Sequence, residues 1–294
     1  MPAPLDVVQN HMAEFYRPKR KAVSSRFPVL VKPATFTKKA LRGAKNRISL
    51  RRLEQKGFMA CVIARHSSLL YRKLGDSDPD LQMNKVVNIA RAIRELDGLV
   101  IPPGEVFSFW HAVGAVNEKR GYVDGMLLSN GRPSRGMGGG LCQLSNFLFW
   151  ILMHADTEIV ERHHHSVDAF PDSGRTLPFG SGATVFSNYL DLKVKNISDR
   201  PLQIKLWLTA SCLKGQILSD APGKKKFHLA EKNHCFIRQR EDTFRYNEIC
   251  RETYEKGIKS GEEKILTNFA PVIYPVSQEY LLANGYEMVR VDRT

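Results

Sequence analysis

A thiol, a run of three imidazoles and a carboxylate follow one another in this chain at Cys142, His163-His164-His165 and Asp191. Such groups can combine into a nucleophile, a base that takes its proton and an acid that orients the base. The thiol stands in Gly138-Gly139-Gly140-Leu141-Cys142-Gln143-Leu144-Ser145, and the apolar run Phe147 to Met153 follows at once. Three glycines let backbone N–H groups crowd together because no Cβ intervenes, and a helix starting there adds partial positive charge at its first turn. Both effects favour a thiolate and an oxyanion beside it, with Gly138, Gly139, Gly140, Gln143 and Ser145 forming the loop around that oxyanion. The same stretch also reads as a turn into a buried helix, with Cys142 a small core residue.

The order thiol, imidazole, carboxylate occurs in papain-like and transglutaminase-like enzymes, where the thiol sits on a helix start and its partners on adjoining strands. His165, followed by Ser166 at the start of a predicted strand, is the preferred base, with His163 and His164 as alternatives and Asp191 as orienter. Three adjacent histidines could equally belong to a metal site completed by His154, Asp168 or Asp172. The chain carries no H-x-x-x-H or H-x-x-E-H helix pattern, so no metal and no cofactor is expected.

These groups need elements to hold them. Val86, Ile89, Ala90, Ile93 and Leu96 recur at helical spacing and predict an amphipathic helix over residues 81–96, ended by Asp97-Gly98. Leu99-Val100-Ile101, the Pro102-Pro103-Gly104 turn and Val106-Phe107-Ser108-Phe109 read as strand, turn, strand. Residues 126–129, Asn130-Gly131 and a return segment predict a hairpin, since Asn-Gly suits a type I′ turn, and it leads into the Gly-rich entry. Beyond the buried helix, residues 158–162, 183–186, 191–195 and 203–208 read as strands, and 228–274 as mixed strand and turn pieces with a helix near 247–256. Residues 1–45, with Pro18, Pro28 and Pro33, are expected to wrap the surface irregularly before a short helix over 45–55. The fold class expected is α+β, a mixed or antiparallel sheet around a buried helix that starts at the Gly-rich Cys loop, in a papain- or transglutaminase-like arrangement. Three regions are expected: a basic segment over 1–75, a core domain over 76–215 and a carboxy-terminal extension over 216–294 packed on it.

Charge divides the 294-residue chain unevenly. Residues 1–74 hold 17 Lys and Arg against three acidic residues, so the entire net charge of +14 resides there, and the remainder carries 27 of each sign. The runs between residues 17 and 73 would attract an anionic surface such as lipid head groups or a wall polymer, or else form a solvated basic face. Nucleic acid is disfavoured as a partner because no recognition motif or interleaved aromatic platform accompanies the charge. Five widely spaced cysteines, Cys61, Cys142, Cys212, Cys235 and Cys250, contain no C-x-x-C pair and point away from a disulfide framework, in agreement with a reducing compartment. No apolar run approaches the roughly 18 residues a membrane span requires, and residues 1–16 lack an apolar signal core. A cytoplasmic location, peripheral at the inner membrane face, is therefore expected.

Phe107-Ser108-Phe109, Gly114, Gly121-Tyr122, Asn130-Gly131, Gly138 to Ser145, Glu161-Arg162 with His165-Ser166, Gly182-Ala183-Thr184-Val185 and Asp191 to Asn196 together resemble the VanW family. The resemblance covers roughly residues 100–200. The segment Arg175 to Gly182 is most similar to the stand-alone members associated with B-type vancomycin resistance clusters. The resemblance implies an accessory role in glycopeptide resistance or cell-wall metabolism. Through wall-anchored relatives it also implies L,D-transpeptidase-like acyl transfer on a peptidoglycan stem peptide or precursor. Carried over by position, Cys142 is the nucleophile, His165 the base, and Arg162 and Ser166 contact substrate. The expectation from another class is a non-catalytic module that binds wall precursor or a protein partner, its Gly-rich loop an anion nest. Gly182 stands where many relatives have an acidic residue.

Overall fold

A computed structural model describes residues 5–16, 37, 40–46, 49–71, 79–129, 132–164, 166–172, 176–187 and 189–291. Its helices are α1 (Leu5–Tyr16), α2 (Pro79–Leu96), α3 (Phe109–Val113), α4 (Leu141–Leu152) and α5 (Gln278–Asn284). The strands run β1 (Glu54–Gln55), β2 (Cys61–Leu69), β3 (Leu99–Ile101), β4 (Val106–Ser108), β5 (Asp124–Ser129), β6 (Arg132–Met137) and β7 (Thr157–Glu161). They continue as β8 (Lys193–Asn196), β9 (Leu202–Leu208), β10 (Cys212–Ser219), β11 (Lys225–Gln239), β12 (Asp242–Glu255), β13 (Ile258–Pro271) and β14 (Glu287–Arg290). The class is α+β with antiparallel sheets, and its one parallel strand pair among the described ladders is β11 with β14.

The largest sheet has the order β1-β3-β9-β10-β2. Strands from residues 54–69 thus pair with strands up to Ser219, and the segment before residue 75 shares a sheet with the core and with the start of the carboxy-terminal part. A three-stranded sheet, β4-β8-β7, and the β5-β6 hairpin adjoin it, while β13-β12-β11-β14 forms the carboxy-terminal sheet. Strands β3 and β4 do not pair with each other: β3 joins β1 and β9, and β4 joins β8, so the Pro-Pro-Gly turn passes the chain between sheets. In the hairpin, Ser129 lies opposite Arg132, leaving two residues between the strands; the Asn130-Gly131 turn itself lies outside the described residues.

Helix α4 is buried on all sides, from Leu141 through Leu144, Phe147, Leu148 and Phe149 to Leu152, which marks a central helix rather than a surface one. Each such side chain contributes about 1.5–3 kcal/mol by leaving water, far more than intrinsic helix propensity supplies over twelve residues. Phe147 lies close against Gly215 of β10, where a Cβ would come within 2.8 Å of its ring. Helix α2 starts with proline, carries Asp80 in its first turn and buries Lys85, Asn88, Ile89, Ala92, Ile93 and Leu96 along one stripe. Gly98, at φ +81°, releases the chain into β3.

Several local expectations are corrected by long-range partners. Residues 247–256 are not helical: 247–255 belong to β12, which pairs on both sides with β11 and β13, and Lys256 lies in the turn after it. Residues 5–16 form α1 instead of an irregular wrap: Val8 and Met12 pack on Phe244 and Tyr246, and Tyr16 Oη donates to Asp242 at 2.7 Å. The short helix expected over 45–55 is displaced, with helical residues at 40–46 and strand β1 at its end. Residues 183–186 make no ladder beyond the single Phe186–Leu190 bridge, because their polar groups are claimed by α4 and by the β7 exit.

One face of β12 anchors the long excursion between β7 and β8. Arg251 donates to the carbonyls of Ala155 (3.3 Å) and Thr157 (2.7 Å). Arg245, fully buried, pairs with Asp168 at 3.1 Å and with Asp172, while its Nε donates to His234 at 2.8 Å. Its guanidinium also lies over the rings of Phe179, Phe236 and Tyr286. Removing that cation strands two carboxylates away from water. Arg245→Met is therefore expected to lower the unfolding free energy by about 3–5 kcal/mol in urea denaturation; a loss below about 1 kcal/mol would contradict the anchoring role.

Candidate functional site around Cys142

The glycine run is a packing device. Gly138, Gly139 and Gly140 are all buried, with φ of +73° at Gly138 and +101° at Gly140. A Cβ on Gly139 would overlap the Gly125 carbonyl, one on Gly140 would overlap the Lys85 side chain, and one on Gly125 would come within 2.7 Å of Gly139 O. Asn88 of α2 clamps the crossing: its Nδ2 donates to Val123 O and Gly139 O, both at 2.9 Å, and its Oδ1 accepts from Val123 N. The backbone amides point inward as well. Gly138 N donates to Val123 O (3.1 Å), Gly139 N to Gly136 O (3.1 Å), Leu141 N to Gly138 O (3.3 Å) and Gln143 N to Gly140 O (2.9 Å). These four N–H groups stabilise the turn rather than converging on an oxyanion.

Cys142 is the second residue of α4, half-buried, and its Sγ donates to Val185 O at 3.4 Å. Burial pushes the Cys142 thiol up, so the resting form is the protonated thiol. Gln143 Nε2 donates to Leu69 O at 2.7 Å, and Ser145 Oγ donates to Ala183 O at 2.6 Å. With Asn146 Oδ1 accepting from Ala183 N at 2.7 Å, the first turns of α4 hold the strap over residues 183–185 in place.

On the other side of that strap, Thr184 N donates to His163 O at 2.7 Å. His163 Nε2 lies 3.0 Å from Glu161 Oε1, and Glu161 also receives Arg42, Lys193 (3.3 Å) and the Asp191 amide (3.1 Å). Burial alone would raise the Glu161 carboxyl, but hydrogen bonds from His163 and Arg42 outweigh it and hold it below its ordinary range. His164 and Ser166 are exposed. His165 lies outside the described residues.

Asp191 is fully buried, and its carboxylate serves a helix start. Oδ2 accepts from Ser108 Oγ at 2.6 Å, and Oδ1 accepts from the Trp110 amide at 3.1 Å and the Leu192 amide at 2.9 Å. Ser108 is itself the N-cap of α3. Arg162 is likewise turned inward: its Nε donates to Gly182 O at 2.8 Å, its Nη2 to Gly180 O, and its cation lies over Phe149. Burial lowers its pKa to about 10. Of the residues considered for metal, Asp168 and Asp172 pair with Arg245, and His154 Nδ1 lies 2.9 Å from Trp150 O. Among the described residues no group of three or more His, Cys, Asp or Glu could hold a metal ion.

Among the described residues of the histidine run, the imidazole of His163 has Glu161 as its carboxylate neighbour. Its signal was in the sequence: residues two apart on a strand edge share a side, and Glu161 precedes His163 by two. Arg42, inside the basic quarter, carried no such signal, since its partners lie more than a hundred residues away. Because Gly139 meets backbone, Gly139→Ala is expected to cost about 1–3 kcal/mol or more in chemical denaturation. Unchanged stability in the Gly139→Ala variant would contradict the packing role.

Among the described residues no helix is long and apolar enough to cross a membrane. Residues 84–218 match the family model described as VanW like protein. The chain is 32% identical over 213 residues to the vancomycin B-type resistance protein VanW of Enterococcus faecalis, covering 71% of this chain and 77% of that one. It is also 32% identical over 121 residues to the uncharacterized protein YoaR of Bacillus subtilis, covering 40% of this chain and 37% of that one. No solved structure matches. The similarity extends well beyond the Gly-rich loop to most of the length of the enterococcal protein, and the chain belongs to the VanW family.

Proposed function

We propose that this chain is an accessory protein of glycopeptide resistance or cell-wall metabolism, in which Cys142 is an acyl-transfer nucleophile toward a peptidoglycan stem peptide or precursor. Its similarity to a protein named for vancomycin B-type resistance supports the first part. The observation that carries the second is the position of the Cys142 thiol in the first turn of α4, held against a strap whose next residue back is tied to His163. Thiol and histidine run therefore flank one short segment.

The protonated resting thiol defines what the chemistry needs. An imidazole of the 163–165 run, with His165 the preferred base, takes the thiol proton as sulfur bonds to a stem-peptide carbonyl carbon. The C–N bond breaks, the amine leaves with the proton from the imidazolium, and a thioester on Cys142 remains. An acceptor amine then attacks the thioester, loses a proton to the imidazole and releases the thiol. In this scheme Ser166, exposed beside the histidines, faces substrate. Arg162 and Glu161 brace the strap and the histidine from behind, which replaces a papain-like orienting role for Asp191. The excess positive charge of residues 1–74 suits an anionic surface, and the inner membrane face is the location this reading assigns.

A second reading, a non-catalytic module that binds wall precursor or a partner, is favoured by one observation: burial raises the Cys142 thiol while the Gly138, Gly139, Leu141 and Gln143 amides bond to backbone carbonyls. Mass spectrometry of the protein incubated with muropeptides separates the two. Acyl transfer predicts a covalent adduct on the peptide containing Cys142, absent from Cys142→Ala and strongly reduced in His165→Ala. Adduct formation should keep increasing with pH beyond the ordinary cysteine value of about 8.5, because the thiol proton that must be removed is held by burial. Full retention of resistance or wall effect in both variants would leave the binding module as the function.

A further inference from the structure

The strap that meets Cys142 has a second set of attachments, from a part of the chain outside the matched family domain. Asn247 of β12 and Asn268 of β13 stand directly opposite each other and are buried. Asn247 Nδ2 donates to Phe179 O at 2.8 Å, Asn268 Nδ2 donates to the same oxygen at 3.2 Å, and Asn268 Nδ2 also donates to Asn247 Oδ1 at 2.8 Å. Asn268 Oδ1 in turn accepts from Arg162 at 3.3 Å, and that guanidinium holds Gly180 O and Gly182 O. Gly180, at φ +73°, passes so near Asn268 that a Cβ would overlap its amide group. From Gly182 the strap proceeds in three residues to Val185, the acceptor of the Cys142 thiol.

We propose that the Asn247–Asn268 pair is a positioning element for Cys142. By fixing Phe179 and, through Arg162, Gly180 and Gly182, it sets how closely the strap covers the thiol. The carboxy-terminal sheet is then part of the Cys142 site, although the family match ends at residue 218. The physical basis is that a buried amide pair joined to backbone carbonyls is costly to break, whereas the strap lacks a ladder of its own. Releasing the pair lets the strap lift, admits water to Sγ and removes the burial that favours the neutral thiol. This deepens the acyl-transfer reading of Cys142, but its test follows the thiol itself and needs no substrate, so the two can fail separately.

The test is iodoacetamide labelling of the full chain, resolved by peptide, from about pH 6 to about pH 10. In Asn268→Ala the Cys142 profile is expected to shift down by about one pH unit, which is roughly tenfold faster labelling at neutral pH. Cys235 and Cys250, buried in the carboxy-terminal sheet, report on the fold and should stay unlabelled. Asn268→Asp, which keeps the size but removes both donated hydrogen bonds, should shift the profile in the same direction. An unchanged Cys142 profile in a variant whose Cys235 stays protected overturns the proposal. Where a variant exposes Cys235 and so loses its fold, hydrogen exchange of the unaltered protein decides. The opening that labels Cys142 must also exchange the Ala183 and Thr184 amides; labelling while those amides remain protected overturns it equally.

Discussion

Gly139 meets Gly125 backbone to backbone, and that crossing sets where α4 begins. No side chain could enter the contact, so the hairpin lies flat on α2 under the clamp of Asn88, and the chain turns into the helix within one residue. The depth of the crossing also sets the depth of Cys142. One residue into the helix, its thiol is already half-buried and against the Val185 carbonyl. A looser turn would place it at the rim, in water and open to the helix dipole. The glycines were expected to create an anion nest; their close approach directs the Gly138 and Gly139 amides to backbone carbonyls instead.

The second constraint is the path of the excursion between β7 and β8. It runs some thirty residues with little regular structure, and it is held by side chains from both directions. Helix α4 holds it through Cys142, Ser145 and Asn146, and the carboxy-terminal sheet through Arg245, Asn247 and Asn268. Strand β12 can do this because its two faces differ. Phe244 and Tyr246 pack under α1, while Arg245 and Asn247 face the excursion. A buried strand with one polar face is unusual, and the Asp168 and Asp172 carboxylates and the Phe179 carbonyl of the excursion help satisfy it.

What the sequence disclosed follows from how local each signal was. Helix α2 and the entry to α4 were legible because periodicity, a proline start and a glycine stop are contained within a few turns. Strand β12 was mistaken in part for a helix because Glu248, Arg251, Glu252 and Glu255 recur at spacings of three and four, while the alternation that makes it a strand depends on partners in β11 and β13. Residues 183–186 have strand-like composition, but their hydrogen bonds go to α4 and the β7 exit, a competition no local pattern reveals. The candidate nucleophile was legible by type and placement. Its electrostatic state was not, since burial raises the thiol and its contact lies on a strap more than forty residues downstream. Asp191 stands in the order of an orienter along the chain, and its carboxylate also accepts from Ser108 Oγ and the Trp110 amide, about eighty residues upstream, which no local pattern reveals.

The central claim is that Cys142 rests as a half-buried, protonated thiol whose proton must be taken before it can act. Titration of the Cys142 Cβ resonance in cysteine-labelled protein, assigned with a Cys142→Ser variant, tests this most directly. A midpoint above the ordinary value of about 8.5 is the expected result. A midpoint below about 7 would mean that the helix start and glycine loop stabilise the thiolate after all, and would contradict the account.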